Sequence, residues 1–534
     1  MNAQTPKSLG AYYTDQLVAE FLVTWAIRQP NDRVLDPSCG DGVFLAAAGK
    51  RLQSLGCKYQ PAVFGVDVQE EAISSISGIP IPSDHLIVSD FFEIGINDVG
   101  LVDAVVGNPP FIRYQKFNGK SRAKALKICR QFGVDLSGLS SSWAPFIVYA
   151  TRFLKPSGRL ATIIPAEINH AAYAHPVMQY ILDHFRHVRI IAFRERLFPE
   201  LSQDVFCLLA DGYGQECKDF SLVVSDSAQL LNTTDLENGV QVDIEAVREG
   251  KQRILQYFLP DTSRRLYNDL TQHENVQALG DFGSLGIGYV TGANDFFHLS
   301  TSEVQRYGIP RSLLRPVVRS GRYLTGIKFT GTDWKLQEEA DNKVWLLLIP
   351  PDQRELPAQL NEYLKKGERK NVHIAYKCKV REPWYSVPHV YVGDLFLTYM
   401  SGNSPRLVAN EAKVVAPNSL HIVRLYNSLS PDLLATFWYT SLTMLSCEIE
   451  GHALGGGMLK LEPSEAKRVS IPVPGFTPTK EDIARIDSML RMGQFRDALN
   501  CGDKLVLIQG LGLTEQDCDA LRRGYNQLLN WRMR

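Results

Sequence analysis

Asn108-Pro109-Pro110-Phe111 directly follows the apolar run Ala104-Val105-Val106-Gly107. A carboxamide, two rigid prolines and an aromatic ring at the end of a buried strand suit the capture of a planar group that carries an amine. The Asn108 amide oxygen can accept a hydrogen bond from an exocyclic NH2, and so can the backbone carbonyl beside it. The prolines fix φ and carry no N–H, so that carbonyl stays aimed outward. The ring of Phe111 can lie against the face of a base. These four residues are candidate catalytic residues for the alkylation of an amine.

Upstream, Asp36-Pro37-Ser38-Cys39-Gly40-Asp41-Gly42 follows one strand and opens a helix. Gly40 and Gly42 let the turn pass close to a ligand, although a purely structural glycine turn would use the same residues. The third glycine of a dinucleotide fingerprint is missing, which disfavours a pyrophosphate cradle. The Asp36 carboxylate suits the α-ammonium of a cofactor bearing an amino acid. Asp67, followed by Val68, ends the next strand, where a carboxylate can take both hydroxyls of a ribose. Asp90 ends the third strand, followed by Phe91 and Phe92. It can accept from an adenine amino group while an aromatic neighbour covers the ring. Any one of these aspartates could equally cap a helix. Three in chain order, each at a strand end and upstream of the Asn-Pro-Pro-Phe turn, argue for one site.

Short apolar runs must position these residues. Val34-Leu35, Ala62 to Val66, Leu86 to Val88, Ala104 to Val106 and Arg159 to Ile164 alternate with segments of helical period over the first 250 or so residues. Continuous apolar strands separated by helices indicate a parallel sheet covered on both faces. Ile190 to Phe193 and Val205 to Leu209 read as its far edge, and the acidic stretch 211–250 as loops and edge strands that complete it. The expected fold is a doubly wound α/β domain, Rossmann-like, over 1–250, with ligands at the carboxyl ends of its strands. A linker helix is expected over 251–275. From 276 to 475 the chain is richer in Gly, Pro and aromatics and lacks the βαβ rhythm, which predicts a separate domain of mixed α+β structure. A helical segment over 476–534 follows.

The 534 residues exceed what one ordinary core accommodates. A hydrophobic share of 45% and a charged share of 22% are those of a soluble globular protein. Net charge is −1, but 22 basic residues face 28 acidic ones up to residue 250, and 35 face 30 beyond it. Arg113, Lys116, Lys120, Arg122, Lys124, Lys127 and Arg130 run without an acidic residue between them, and 301–381 holds 16 basic against 9 acidic residues. Such patches can follow a phosphate backbone or simply form a solvated face. Nine cysteines show no zinc-ligand spacing and read as reduced thiols, so no metal is expected. The start of the chain lacks a signal-peptide layout and no apolar run reaches spanning length. A cytoplasmic protein without a membrane partner is expected.

Taken in order, these motifs resemble the amino-group DNA methyltransferases, in particular the gamma arrangement of adenine-N6 enzymes from type II restriction–modification systems. Gly10-Ala11-Tyr12-Tyr13-Thr14 resembles their N-terminal cofactor motif, Asp36 to Phe44 the glycine loop, Asp67 the ribose acid, Asp90-Phe91 the adenine site, and Asn108 to Phe111 the catalytic tetrapeptide. Phe198-Pro199 resembles the segment that supplies a second aromatic against the target base. Phe111 stands where Tyr is commoner, and Asp15 where Pro is frequent. The resemblance implies S-adenosyl-L-methionine as cofactor, held by Tyr13, Thr14, Asp36, Pro37, Ser38, Cys39, Gly40, Gly42, Asp67, Val68, Asp90, Phe91 and Asn108. It implies double-stranded DNA as substrate, an adenine flipped out onto Phe111 and Phe198, and backbone contacts from Arg113, Lys116, Lys120, Arg122 and Lys124.

Leu285 to Phe297, with its Thr291-Gly292-Ala293-Asn294, resembles the opening of the target-recognition domain of large adenine methyltransferases. Gly455-Gly456-Gly457 through Pro474 resembles its closing segment. Protein-glutamine methyltransferases also use Asn-Pro-Pro turns, and RNA N-methyltransferases share the sheet, but neither explains the large second half. A non-catalytic DNA-binding module would need neither the cofactor loop nor the tetrapeptide. Glu411-Ala412-Lys413, with Asp394 upstream, has the spacing of a metal-dependent nuclease. The tripeptide is common and no nuclease-sized segment precedes Leu9, so a bifunctional restriction–methylation enzyme is the lesser alternative. The expectation is a protective methylase whose cognate restriction endonuclease is a separate protein.

Overall fold

The structure is a computed structural model describing residues 14–79, 81–169, 173–198, 204–353, 355–426 and 429–534. The chain divides into two compact units, one up to Phe258 and one from Leu259 to Met533.

The first unit is built on nine strands: β1 Val34–Asp36, β2 Val63–Asp67, β3 Leu86–Val88, β4 Val102–Gly107, β5 Leu154–Pro165, β6 Phe185–Phe193, β7 Val205–Tyr213, β8 Asp219–Ser225 and β9 Val240–Gln241. Their order across the sheet is β3-β2-β1-β4-β5-β7-β6-β8-β9. β1 pairs in parallel with both β2 and β4, so the strand order reverses there and opens a crevice at the carboxyl ends. β7 lies inside the sheet, antiparallel to β5 on one side and β6 on the other. The rim of the sheet is formed by β8 and β9, which lie in the stretch 211–250 expected to complete it; β7 and β6 are interior to them, and the run Val205–Ala210 is wholly buried.

Helices α1 Gln16–Ala26 and α2 Val43–Ser54 contribute Val18, Leu22, Phe44 and Leu45 to the main buried cluster, with Val34, Ala104 and Val106 from the strands. Asp15 accepts from the Leu17 N–H and so caps α1. The turn into α2 is made by Gly42, whose φ of 86° lies in the left-handed region. Beyond it come α3 Glu70–Ser75, α4 Ile96–Val99, α5 Gly119–Gln131, α6 Trp143–Ala150 and α7 His175–His184.

The second unit holds a five-stranded sheet in the order Gly283–Ile287, Leu420–Leu425, Leu395–Thr398, Leu407–Asn410, Lys328–Phe329. A three-stranded sheet of His298–Leu299, Trp345–Leu347 and Leu314–Pro316 carries a second buried cluster. Helix Asp261–Thr271, within the expected linker, is part of this unit: the Ser263 hydroxyl donates to the Ala520 carbonyl at 2.7 Å. The terminal helix Glu515–Met533 belongs to it too, anchored by the buried ion pair Arg532–Glu448 at 2.8 Å.

Candidate functional site

A cavity of about 390 Å³ opens at the carboxyl ends of β1, β2 and β4. Its size falls in the range of small-molecule sites. Thr14, Pro37, Ser38, Cys39, Gly40, Asp67, Val68, Asp90, Phe91 and Asn108 all line it, so most of the expected cofactor residues converge on one space. Tyr13 lies outside the described residues. Asp36 and Gly42 are not among the lining residues: Asp36 is buried beneath the loop, and Gly42 makes the turn into α2.

Asp36 is fully buried. Its Oδ1 accepts the Ser38 N–H at 3.1 Å, while Oδ2 has no hydrogen-bond partner among the described residues. Burial pushes its pKa from 3.8 up to about 8, with Asp67 and Asp41 adding to the rise against the Ser38 N–H. Gly107 makes room for it: a Cβ there would lie 2.6 Å from Asp36 Oδ1, at a φ of 149° that side chains rarely adopt. Cys39 sits beside this carboxylate, and burial drives its thiol far above the usual range, which leaves it protonated and unreactive.

Asp67 accepts from the N–H of Gly40 at 3.0 Å and of Gln69 at 2.9 Å, which ties the glycine loop to the end of β2. Beside it Val68 is 63% exposed, an aliphatic face on the cavity. Asp90 Oδ1 accepts from the Phe92 N–H at 3.0 Å, capping the short turn Phe91–Glu93. The helix-cap role weighed for these aspartates is thus realised at Asp90, which lines the cavity as well. Phe91 and Phe92 form the buried wall with Phe146 of α6, at ring separations of 5.2 and 5.0 Å.

Asn108 begins where β4 ends. Its Nδ2 donates to Thr14 Oγ1 at 3.2 Å, and its backbone carbonyl accepts from Ser38 Oγ at 3.1 Å. The Pro110 carbonyl accepts from Ser142 Oγ, which in turn accepts the Ile112 N–H at 2.9 Å. The Ser142 N–H closes the clamp on the Ile112 carbonyl at 3.0 Å. Two serines therefore hold the first and third carbonyls of the Asn-Pro-Pro turn. The Pro109 carbonyl between them makes no hydrogen bond among the described residues.

Phe111 and Phe198 are half-buried against the cluster formed by α1, α2 and the sheet, and neither lines the cavity. Of the expected backbone contacts, Arg113, Lys116 and Lys120 are exposed. Arg122 donates to the Gly138 carbonyl and Lys124 pairs with Glu93, so both carry local bonds that the charge run alone does not reveal. Phe44, the end of the expected glycine loop, also lines the cavity, and Phe117, Ser121, Ser142 and Phe146 do so without having been singled out in the sequence. The one available signal is Ser140-Ser141-Ser142 ahead of the apolar run Trp143 to Ala150, a helix-start pattern.

In the second unit, Glu411 pairs with Lys328 at 2.9 Å and Asp394 Oδ2 accepts the Leu425 N–H at 3.0 Å. Among the described residues no group of three or more His, Cys, Asp or Glu could hold a metal ion, and no helix is long and apolar enough to cross a membrane.

The reversed strand order, the buried antiparallel β7 and a cavity lined by Asp67, Asp90 and Asn108 define a methyltransferase-type α/β domain. The family model of N-6 DNA methylases matches residues 1–243, and that of the type II methyltransferase M.Eco57I C-terminal domain matches 251–507. Type II methyltransferase M.AccI of Acinetobacter calcoaceticus is 21% identical over 487 residues, covering 86% of this chain and 85% of that protein. M.XamI of Xanthomonas campestris pv. amaranthicola is 22% identical, covering 87% and 85%. The type IIL restriction–modification enzyme MmeI, solved with DNA, shares the fold at a TM-score of 0.58 and 14% identity, over 99% of this chain and 80% of its own. The chain spans 66% of the type IIG restriction endonuclease BpuSI, at a TM-score of 0.44 and 16% identity. The chain belongs to the adenine-N6 DNA methyltransferases of type II restriction–modification systems. The RNA, protein-glutamine and bifunctional alternatives are not favoured.

Proposed function

We propose that the cavity binds S-adenosyl-L-methionine and that Asn108 presents to it the N6 amine of an adenine flipped out of duplex DNA. The observation that carries this reading is that Asn108, Asp67 and Asp90 line one cavity at the point where the strand order reverses. The donor set fits the cofactor. Asp36 Oδ2, buried without a partner, suits a nearby ammonium, Asp67 suits ribose hydroxyls, and Asp90 suits an adenine amine between Val68 and the Phe91–Phe146 wall. Bound there, S-adenosylmethionine supplies a methyl carbon on a positively charged sulfur.

Adenine N6 is a poor nucleophile because its lone pair is delocalised into the ring. Hydrogen bonds from its two N–H groups to Asn108 Oδ1 and the Pro109 carbonyl favour a pyramidal nitrogen whose lone pair is free to attack. Ser38 and Ser142 assist by occupying the neighbouring carbonyls, which leaves the one at Pro109 for the substrate. With the cofactor bound, the N6 nitrogen held by Asn108 and the Pro109 carbonyl would take up the methyl carbon as the sulfonium regained its bonding pair, and the N6 proton would pass to solvent. Alignment and fixed dipoles supply the acceleration, and no strong base is required. Phe111 and Phe198 receive the flipped base, and Arg113, Lys116 and Lys120 hold the phosphates beside it.

The protein acts in the cytoplasm as the protective partner of a separate restriction endonuclease. Incubation with tritiated S-adenosylmethionine and, in parallel, duplex DNA, RNA and a protein extract tests the reading. Label should enter the duplex alone; label in RNA or protein with none in DNA refutes it.

A further inference from the structure

Residues 369–381 hold five basic residues and no acidic one. They include the end of helix Ala358–Arg369, the turn Val372–Ile374 and the short helix Tyr376–Lys379. Ile374, Tyr376 and Val380 are 57%, 70% and 65% exposed, an unusual density of large apolar side chains for a solvated turn. Lys370, Lys377 and Lys379 form no ion pair among the described residues, and the ammonium groups of Lys377 and Lys379 lie 5.4 and 5.8 Å from the Tyr376 ring.

The turn is anchored from beneath by Arg381 and Cys378. Arg381 donates from Nη1 to the carbonyls of Thr291 at 2.9 Å and Ser386 at 3.1 Å, and from Nη2 to that of Val290 at 2.5 Å. Cys378 is buried, its thiol 3.5 Å from the Thr291 carbonyl. Gly292, at a φ of +84°, permits the close approach, since a Cβ there would lie 2.8 Å from the Lys377 Cβ. The Val290-Thr291-Gly292 segment is thus a cradle that holds one short, rigid, basic and aromatic turn.

We propose that this turn is a DNA-contacting element of the second unit, with Lys370, Lys377 and Lys379 on phosphates and Tyr376 against a base or sugar face. The inference rests on the DNA methyltransferase reading. A surface that is cationic and apolar at once, with an aromatic ring between two lysines, matches a polymer that alternates phosphates with flat π faces. Its rigid base keeps the ordering cost of binding low.

The test uses full-length protein and a random-sequence 30-base-pair duplex, with binding measured across a salt series. Every lysine removed from a phosphate lowers the log–log salt slope by about 0.9, so K370A/K377A/K379A should reduce it by about 2 to 3. Tyr376→Ala should weaken binding on the order of tenfold, and Tyr376→Phe, which keeps the ring, should not. Cofactor affinity and circular dichroism should match the wild type, since the turn is distant in sequence from the cavity residues. An unchanged slope in the folded triple variant would overturn the proposal. So would wild-type binding to phosphatidylglycerol vesicles that the same substitutions abolish while the DNA slope is kept. Binding is read independently of methyl transfer: wild-type protein that binds duplex but methylates none would count against the proposed function, not against this surface.

Discussion

Replacing Asp36 with Asn should flatten a pH dependence that the wild-type first unit carries. The carboxyl group is fully buried and its pKa is raised from 3.8 to about 8. A value higher in the folded state than in the unfolded one favours folding while the group is protonated. That contribution is complete below about pH 4 and is lost as pH rises through about 8. For such a shift, linkage gives a loss of about 4 kcal/mol between pH 5 and pH 8, an order-of-magnitude figure. The asparagine is nearly isosteric and does not titrate, so the loss should vanish in D36N. The measurement is a urea series at both pH values on ligand-free protein, with unfolding of the first unit followed by amide exchange in β1 and β4 peptides. The wild type should lose several kcal/mol more than D36N. Equal losses in the two proteins would show that Asp36 is not held in a costly buried state, and the fit to a cofactor ammonium would lose its physical basis.

Two other substitutions probe the surrounding frame. Gly107→Ala places a Cβ 2.6 Å from Asp36 Oδ1 at a left-handed φ, and should destabilise the first unit by about 2–3 kcal/mol and weaken binding of a cofactor analogue. A thermal melt and a sinefungin titration check this. Ser142→Ala leaves the Pro110 carbonyl and the Ile112 N–H without their shared partner, and should lower kcat for methyl transfer by roughly tenfold, more than it changes cofactor affinity. Ser142→Thr, which keeps the hydroxyl, should recover most of the rate; steady-state kinetics on duplex DNA decide.

The ends of β1, β2, β3 and β4 were legible because each is a continuous apolar run that stops at Asp36, Asp67, Asp90 or Asn108, and a parallel sheet brings such ends to one edge. The place of β7 was not, since an unbroken run such as Val205–Leu209 reports burial on both faces but not strand direction. The side on which Phe111 packs depends on how the chain leaves Pro110, which two prolines restrict but do not determine. Lys124 and Arg122 look alike in a charge run, yet Glu93 and Gly138 reach them only through the fold. Ser142 escaped notice for the same reason: 30 positions separate it from Ile112, and only the fold, which sets the residue before α6 against the loop after β4, makes it a clamp. Helix Asp261–Thr271 reads as a linker from its position in the chain, while its bond to Ala520 depends on a residue 257 positions away.

The central claim is that the Asn108 carboxamide and its turn act on an adenine amine. Its most direct measurement is nucleoside mass spectrometry of duplex DNA treated with S-adenosylmethionine and either wild-type protein or Asn108→Ala, alongside the cofactor affinity of each. Wild-type protein should leave N6-methyldeoxyadenosine, and the variant should leave none while binding the cofactor within a few-fold of wild type. N6-methyldeoxyadenosine formed by the variant at a comparable rate, or methylcytosine as the wild-type product, would contradict the account.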